Sequence, residues 1–394
     1  MSDLPLSGIK VVEFTHMVMG PTVGLILADL GATVTKVEPL KGDNTRRLMG
    51  SGAGYFAMYN RNKKSLCIDL KSEEGHGVAE KLISDADVLI ENFRPGAMDK
   101  LGFGYEKLSQ ANPRLIYCSL KGFLDGPYEH RTALDEVTQM MGGLAYMTGL
   151  PGKPMRAGSS VIDITGGMFG VIAVLAALEE RHKTGKGQQV KSSLYESTAF
   201  MVGQHMAQRV VSGKELQPMS VRTSAWAIYD IFDTADAEQV FVGVVSDTQW
   251  RMLCESFSLA EFAADRSLDS NTERVKRRDE ILPVVRSAFA LLSKVELMDK
   301  LDKTGLPFAP IATPSDLFDD PHLNAGGGLL ELTLDDGKKV KLPGLPVDMG
   351  GRRFTLRQDL PKEGEHSAEA LLAAGFTQAE VDKMAEKGIV RLAD

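Results

Sequence analysis

Asp163 lies between Val161-Ile162 and a long apolar run, with Ala157-Gly158-Ser159-Ser160 before it and Gly166-Gly167 after it. A carboxylate at the start of a helix can accept backbone N–H groups and is favoured by the positive end of the helix dipole. Spacing alone therefore suits an N-cap, the commoner role. A nucleophilic carboxylate asks for glycines on both sides as well, so that a substrate and backbone amides can approach it closely. The chain supplies them, and on the residues alone both readings stay open.

Glu91-Asn92-Phe93-Arg94-Pro95-Gly96 directly follows a predicted strand, at the sheet edge where ligands of open α/β folds collect. Arg94 suits a phosphate, which a guanidinium grips at two points, and Phe93 suits stacking on a base. The plainer reading is a loop with a solvated arginine, but an aromatic, an amide and an arginine together point to binding. Asn60-Arg61-Asn62-Lys63-Lys64, with Arg46 and Arg47 upstream, is a basic cluster. Such runs usually form a solvated face, which is the first expectation here; near a sheet edge the same patch would also serve a polyphosphate. His16, His76, His130, His182, His205, His322 and His366 show no ligand spacing, so no metal is expected. Gly-x-Ser-x-Gly is absent, and Cys67, Cys118 and Cys254 lack the setting of a thiolate nucleophile, which argues against a serine or cysteine hydrolase.

The elements that must position these residues alternate. Ile9 to Phe14 reads as a strand, Pro21 to Leu30 as a helix capped by Gly31, and Ala32 to Glu38 as a second strand. A helix over Glu73 to Ser84 and strands over Asp87 to Glu91 and Arg114 to Ser119 follow. This pattern predicts a parallel sheet with helices on both faces. Glu38 ends the second strand, as the acid of a dinucleotide site does, but His16 to Pro21 contains no G-x-G-x-x-G, so neither nicotinamide nor flavin is expected. Gly166 to Leu178 is apolar all round, which predicts a helix buried on every side. Its uncharged stretch falls short of the roughly 18–20 residues of a membrane span, and no membrane is expected.

Gln188 to Leu194 reads as a strand and Tyr195 to Val211 as a helix. Ser212 to Thr223 is the best linker. Beyond it come a strand over Val240 to Val245, a helix capped by Asp247 and running through Phe257, and helices over Thr272 to Leu292 and Val295 to Lys303. Ser293 and Glu296 form a capping box for the last of these, which stops at Gly305. Leu329 to Leu342 predicts a hairpin turning at Asp336-Gly337, and two tail helices flank Gly375, the second with Thr377 and Glu380 as its box.

The 394 residues carry 45 basic and 53 acidic side chains, a net charge of −8. Two domains are the best prior for this length. The acidity argues against nucleic acid, though a local basic rim for an anionic small molecule can coexist with it. Three scattered cysteines and a start without a basic, apolar leader predict a reducing, cytoplasmic setting.

In order, Val18-Met19-Gly20-Pro21, Leu27-Ala28-Asp29-Leu30-Gly31-Ala32, Lys36-Val37-Glu38, Gly42-Asp43, Asn60 to Ser65 and Glu91 to Gly96 resemble the class III coenzyme A transferases. That family includes formyl-CoA transferase and the carnitine and bile-acid CoA transferases. The likeness continues through Leu101-Gly102-Phe103, Asn112 to Tyr117, Gly126-Pro127-Tyr128, Gly149, Asp163 and Gly305 to Pro310, over nearly the whole chain. The resemblance implies an interlocked homodimer. Each chain would have a large α/β domain with an open, mostly parallel Rossmann-like sheet from both chain ends (1–211 and 326–394), a linker (212–235) and a small α+β middle domain (236–325).

By the same resemblance Asp163 is the catalytic aspartate. Val18, Met19, Glu38, Ile68, Asp69, Leu70, Lys71, Asn92, Phe93, Arg94, Lys100, Arg131 and Asp135 match positions that contact coenzyme A. The implied reaction moves coenzyme A from an acyl-CoA to a carboxylic acid through aspartyl anhydrides and an aspartyl-CoA thioester. Val18 and Met19 stand where formyl-CoA transferase has glutamine and alanine, Pro39 replaces an arginine, and the glycine-rich loop before Val240 is missing. These departures argue against oxalate and formyl-CoA; the resemblance to relatives with shorter middle regions implies succinyl-CoA or another dicarboxylyl-CoA donor, with Arg46, His16 or an arginine near Arg222 facing the acceptor's distal carboxylate. An α-methylacyl-CoA racemase is the alternative enzyme, but its histidine position falls on Leu134, with His130 off register. A catalytically silent CoA-binding protein is the third reading, and the presence of Asp163 speaks against it.

Overall fold

A computed structural model describes residues 4–221 and 224–393. They form two compact units, Met1–Ser220 with Pro321–Asp394, and Val221–Asp320. Arg222 and Thr223, in the expected linker, lie outside the described residues.

The large unit runs through β1 (Lys10–Phe14), α1 (Met19–Asp29), β2 (Thr33–Glu38), β3 (Lys63–Ile68), α2 (Glu73–Ser84), β4 (Val88–Glu91) and β5 (Ile116–Lys121). It continues with α3 (Asp135–Met141), α4 (Val161–Thr184), β6 (Gln189–Ser193) and α5 (Leu194–Ser212). Shorter helices and turns connect them. The strands are parallel in the order β3-β2-β1-β4-β5-β6. β1 is central and buried on both faces, as its unbroken Val-Val-Glu-Phe run requires. Period two divides the core. Val12, Phe14, Leu66 and Leu89 face the α2 side, while Val11, Val34, Val88, Ile90 and Cys118 face α1 and α4. β5 begins at Ile116 rather than Arg114, because Asn112 Oδ1 accepts the Arg114 N–H at 3.1 Å and turns the chain there.

α4 corrects two expectations. It is not buried on every side: Met168, Ile172 and Leu175 project outward on one face, because α1 and the sheet cover only the other. Its 24 residues are long and apolar enough to cross a bilayer by composition alone, yet its inner face packs in the core. Gly166 and Gly167 serve packing rather than substrate access. A Cβ on Gly167 would stand 2.8 Å from Met19 O and from Thr22 Cβ, so the missing side chains let α1 and α4 approach closely.

The basic cluster is likewise not a solvated face. Asn60, Arg61, Asn62 and Lys63 are all buried. Arg61 Nη2 pairs with Asp29 at 2.7 Å, and Lys63 Nζ pairs with Glu13 at 2.9 Å while donating to Pro21 O. A Cβ on Gly24 would fall 1.8 Å from Glu13 Oε2, so α1 lies directly against this ion pair because residue 24 is glycine.

The small unit contains β7 (Ile228–Asp233), β8 (Gln239–Val244), α6 (Asp247–Ser256), α7 (Asn271–Lys276), α8 (Arg278–Phe289), α9 (Lys294–Thr304) and β9 (Phe308–Pro310). Its sheet is antiparallel, β7-β8-β9, around Phe232, Val240, Trp250 and Phe289. The cap of α6 is Ser246, whose Oγ accepts the Gln249 N–H, whereas Asp247 pairs with Arg274. The helix expected over Thr272 to Leu292 divides at Arg277, whose φ of −103° and ψ of 22° leave the helical region while its guanidinium holds Asp265 and Glu280. The Ser293–Glu296 capping box and the Gly305 terminus of α9 are present.

The tail returns to the large unit. It forms the hairpin β10 (Leu329–Thr333) and β11 (Lys339–Pro343), the short pair β12 (Asp348–Met349) and β13 (Arg352–Arg353), then α10 (Ser367–Ala373), α11 (Gln378–Glu386) and β14 (Val390–Arg391). Asn62 Oδ1 accepts N–H groups from Arg357 and Gln358 at 2.8 and 2.9 Å. β14 pairs antiparallel with β3, Val390 opposite Ile68.

Candidate active site

The strand order reverses between β1 and β4, and a cavity of about 450 Å³ opens beside their carboxyl ends. Ligands of open α/β sheets bind at this switch point. Met19, Asn92, Arg94, Arg131, Asp135 and Asp163 all line the cavity. The sheet thus brings together residues from the β1 and β4 loops, the start of α3 and the start of α4.

Asp163 is the third residue of α4, not its cap. Ser160 holds the cap position without a side-chain capping bond, its Oγ instead lying 3.3 Å from the Tyr55 hydroxyl, and among the described residues the Asp163 carboxylate accepts no hydrogen bond. The capping is done by Asp135, whose Oδ2 accepts the Ile162 and Asp163 N–H groups at 2.8 and 3.1 Å. Asp135 is held in turn by Gln139 Nε2, and Gln139 Oε1 accepts the Ala157 N–H at 2.8 Å. Burial, and then the Asp135 charge, push the Asp163 carboxyl up to about 7, with Arg156 pulling the other way. Burial, followed by the charge of Asp163, raises the Tyr59 phenol to about 12. An acid so placed is nucleophilic near neutrality and protonated below it.

The loop before α1 forms the opposite wall. Asn92 Oδ1 accepts the His16 N–H at 3.1 Å and Asn92 Nδ2 donates to His16 O at 2.9 Å, so one side-chain amide holds the N–H and the carbonyl of a single residue. Met17 takes φ 64°, a left-handed conformation costing about 1–2 kcal/mol for such a residue, and its N–H donates to Thr45 Oγ1 at 3.0 Å. α1 starts without a side-chain cap. On the neighbouring wall Glu91 accepts Ser119 Oγ at 2.6 Å, Lys121 Nζ at 2.7 Å and the Phe93 N–H at 3.0 Å, which fixes the Phe93-Arg94 backbone. Arg94 is exposed and Arg131 lies 5.0 Å from the Tyr128 ring centroid. The His16 and Phe93 rings are 5.8 Å apart, and burial lowers the His16 pKa despite the Asp43 charge.

The remaining expected residues lie elsewhere. Val18 is fully buried beneath the loop. Glu38 is buried, accepting Arg46, Ser65 Oγ and the Asp43 N–H. Arg46 is therefore not free to meet an acceptor; its guanidinium is spent on Glu38 and Pro361 O and stacks on Phe56. Arg222 lies outside the described residues. Ile68 pairs in the sheet, Leu70 packs on the core, Asp69 and Lys71 turn the chain into α2, and Lys100 is exposed; none lines the cavity. Leu134 lines it without a titratable group, and His130 is on a neighbouring cleft. Sequence reasoning missed Arg156, a cavity residue in a loop with no periodic signal.

The profile of CoA-transferase family III matches residues 6–367. An acyl-CoA transferase of Fusarium pseudograminearum is 34% identical over 98% of this chain and 88% of its own length. A succinate–glutarate CoA-transferase of Agrobacterium fabrum is 32% identical over 93% and 95%. A crystal structure of a CAIB/BAIF family protein from Brucella suis superposes with a TM-score of 0.83 at 34% identity, covering 95% of this chain and all of that one.

Proposed function

The chain belongs to CoA-transferase family III, and from that premise we propose that Asp163 is the nucleophile that carries coenzyme A from succinyl-CoA, or another dicarboxylyl-CoA, to a free carboxylic acid. The observation carrying this reading is the Asp163 carboxylate itself, which accepts no hydrogen bond among the described residues and faces a cavity at the switch point of the sheet.

The Asp163 carboxylate attacks the thioester carbonyl, giving an aspartyl–acyl anhydride and releasing the CoA thiolate. The thiolate attacks the aspartyl carbonyl, expelling the donor acid and leaving aspartyl-CoA. The acceptor carboxylate then attacks this thioester, and the freed thiolate takes the acceptor's acyl carbon, returning Asp163 to its carboxylate. Each exchange passes through an oxyanion, to which the uncapped first turn of α1 offers N–H groups. Arg94 and Arg131 supply cations for the phosphates of coenzyme A. The segment Ile68–Lys71 and Lys100 serve the far end of the same extended ligand. The exposed apolar faces of α4 and α5 suit burial in an interlocked homodimer, and three buried, unpaired cysteines suit a cytoplasmic setting.

Asp163→Ala is expected to abolish acyl-CoA exchange, by at least a thousandfold, while leaving CoA binding within a few-fold in calorimetry. Hydroxylamine added during turnover is expected to modify Asp163, as read by peptide mass spectrometry. Exchange retained in Asp163→Ala would overturn the mechanism.

A further inference from the structure

Arg156 lines the cavity that holds Asp163, and the structure fixes how the two are related. Arg156 Nε donates to Ala157 O at 3.1 Å and Nη1 pairs with Glu136, while Nη2 donates to no group among the described residues. The backbone beside it is anchored: the Ala157 N–H donates to Gln139, Gln139 donates to Asp135, and Asp135 accepts the N–H of Asp163. One pair of side chains thus holds both the peptide after Arg156 and the first turn carrying the nucleophile. The other cavity arginines differ. Arg94 follows β4, and Arg131 is stacked on Tyr128, so neither shares this anchorage.

We propose that Arg156 is a specificity-determining residue that receives a second carboxylate on the acceptor acid, so that the enzyme prefers dicarboxylates of one length. This rests on the transferase reading above. A guanidinium with free N–H groups matches a carboxylate at two points, and its fixed relation to Asp163 sets the span between the reacting and distal groups. Glu136 pairs with the same guanidinium and so competes with an incoming anion for it.

The test compares succinate and glutarate with butyrate and valerate as acceptors, using one acyl-CoA donor throughout. In ping-pong kinetics kcat/KM for the acceptor reports only its reaction with the CoA-loaded enzyme, so the donor cancels. Removing the Arg156 charge also raises the Asp163 pKa, but that effect is common to both acceptor classes and cancels in their ratio. Arg156→Gln is expected to lower the ratio of dicarboxylate to monocarboxylate kcat/KM at least tenfold, mainly through KM for the dicarboxylate, and Arg156→Lys to recover part of it. A ratio within twofold of the unaltered enzyme, or an unaltered enzyme that does not favour dicarboxylates, would overturn the assignment. Failure of the unaltered protein to transfer coenzyme A to any of the four acids would instead overturn the transferase reading on which it rests.

Discussion

At the scale of single residues, the site turns on two carboxylates with unequal tasks. The Asp163 carboxylate accepts no hydrogen bond among the described residues and faces the cavity, whereas Asp135 is committed to the N–H groups of α4 and to Gln139. On the proposed mechanism only the ionised Asp163 attacks a thioester. Its carboxyl is raised to about 7, first by burial and then by Asp135, so it is protonated below that pH, and kcat/KM for the donor is expected to rise with pH through an inflection near 7. Asp135→Asn keeps an oxygen for the two N–H groups but removes the charge, and is expected to move the inflection to lower pH. Each unit moved corresponds to about 1.4 kcal/mol. An unmoved inflection would refute the coupling between the two acids. Glycines and an apolar run drew attention to Asp163, but its nucleophilic reading came from the family resemblance, and Gly166 and Gly167 pack against α1 instead. The capping by Asp135 was not, since its partners are backbone N–H groups 27 and 28 residues away that carry no side-chain signal.

At the scale of elements, periodicity placed what it could see. α2 begins and ends at Glu73 and Ser84 as its pattern predicts, with Ser72 as its cap. The charged run before β3 misled, because burial of charge depends on partners from distant elements: Glu13 for Lys63 and Asp29 for Arg61. The break between α7 and α8 carries no glycine or proline at Arg277 to announce it. Burial brings the Lys63 ammonium down to about 8 despite the Glu13 carboxylate, so this pair is held at high electrostatic cost beneath α1. Lys63→Met leaves Glu13 to Lys36 alone and is expected to lower stability by about 3–5 kcal/mol in urea unfolding. The Glu13→Gln, Lys63→Met double variant is expected to lose less than the two single changes summed.

At the scale of the whole molecule, the apolar face of α4 at Met168, Ile172 and Leu175 and that of α5 at Phe200, Val210 and Val211 need a cover in water. Light scattering is expected to give the mass of two chains. Because interlocked rings cannot part without unfolding, that mass is expected to persist on dilution to nanomolar concentration; a one-chain mass would refute the interlocked assembly. Another consequence concerns synthesis. β3 is complete by Ile68, but its outer edge is paired by β14, which ends at Arg391. At typical rates of translation this edge stands open for on the order of tens of seconds after β3 leaves the ribosome. Unpaired strand edges recruit other chains. β14 therefore acts as a seal, and a chain truncated before Val390 is expected to keep the candidate site residues but to expose an open flank for aggregation.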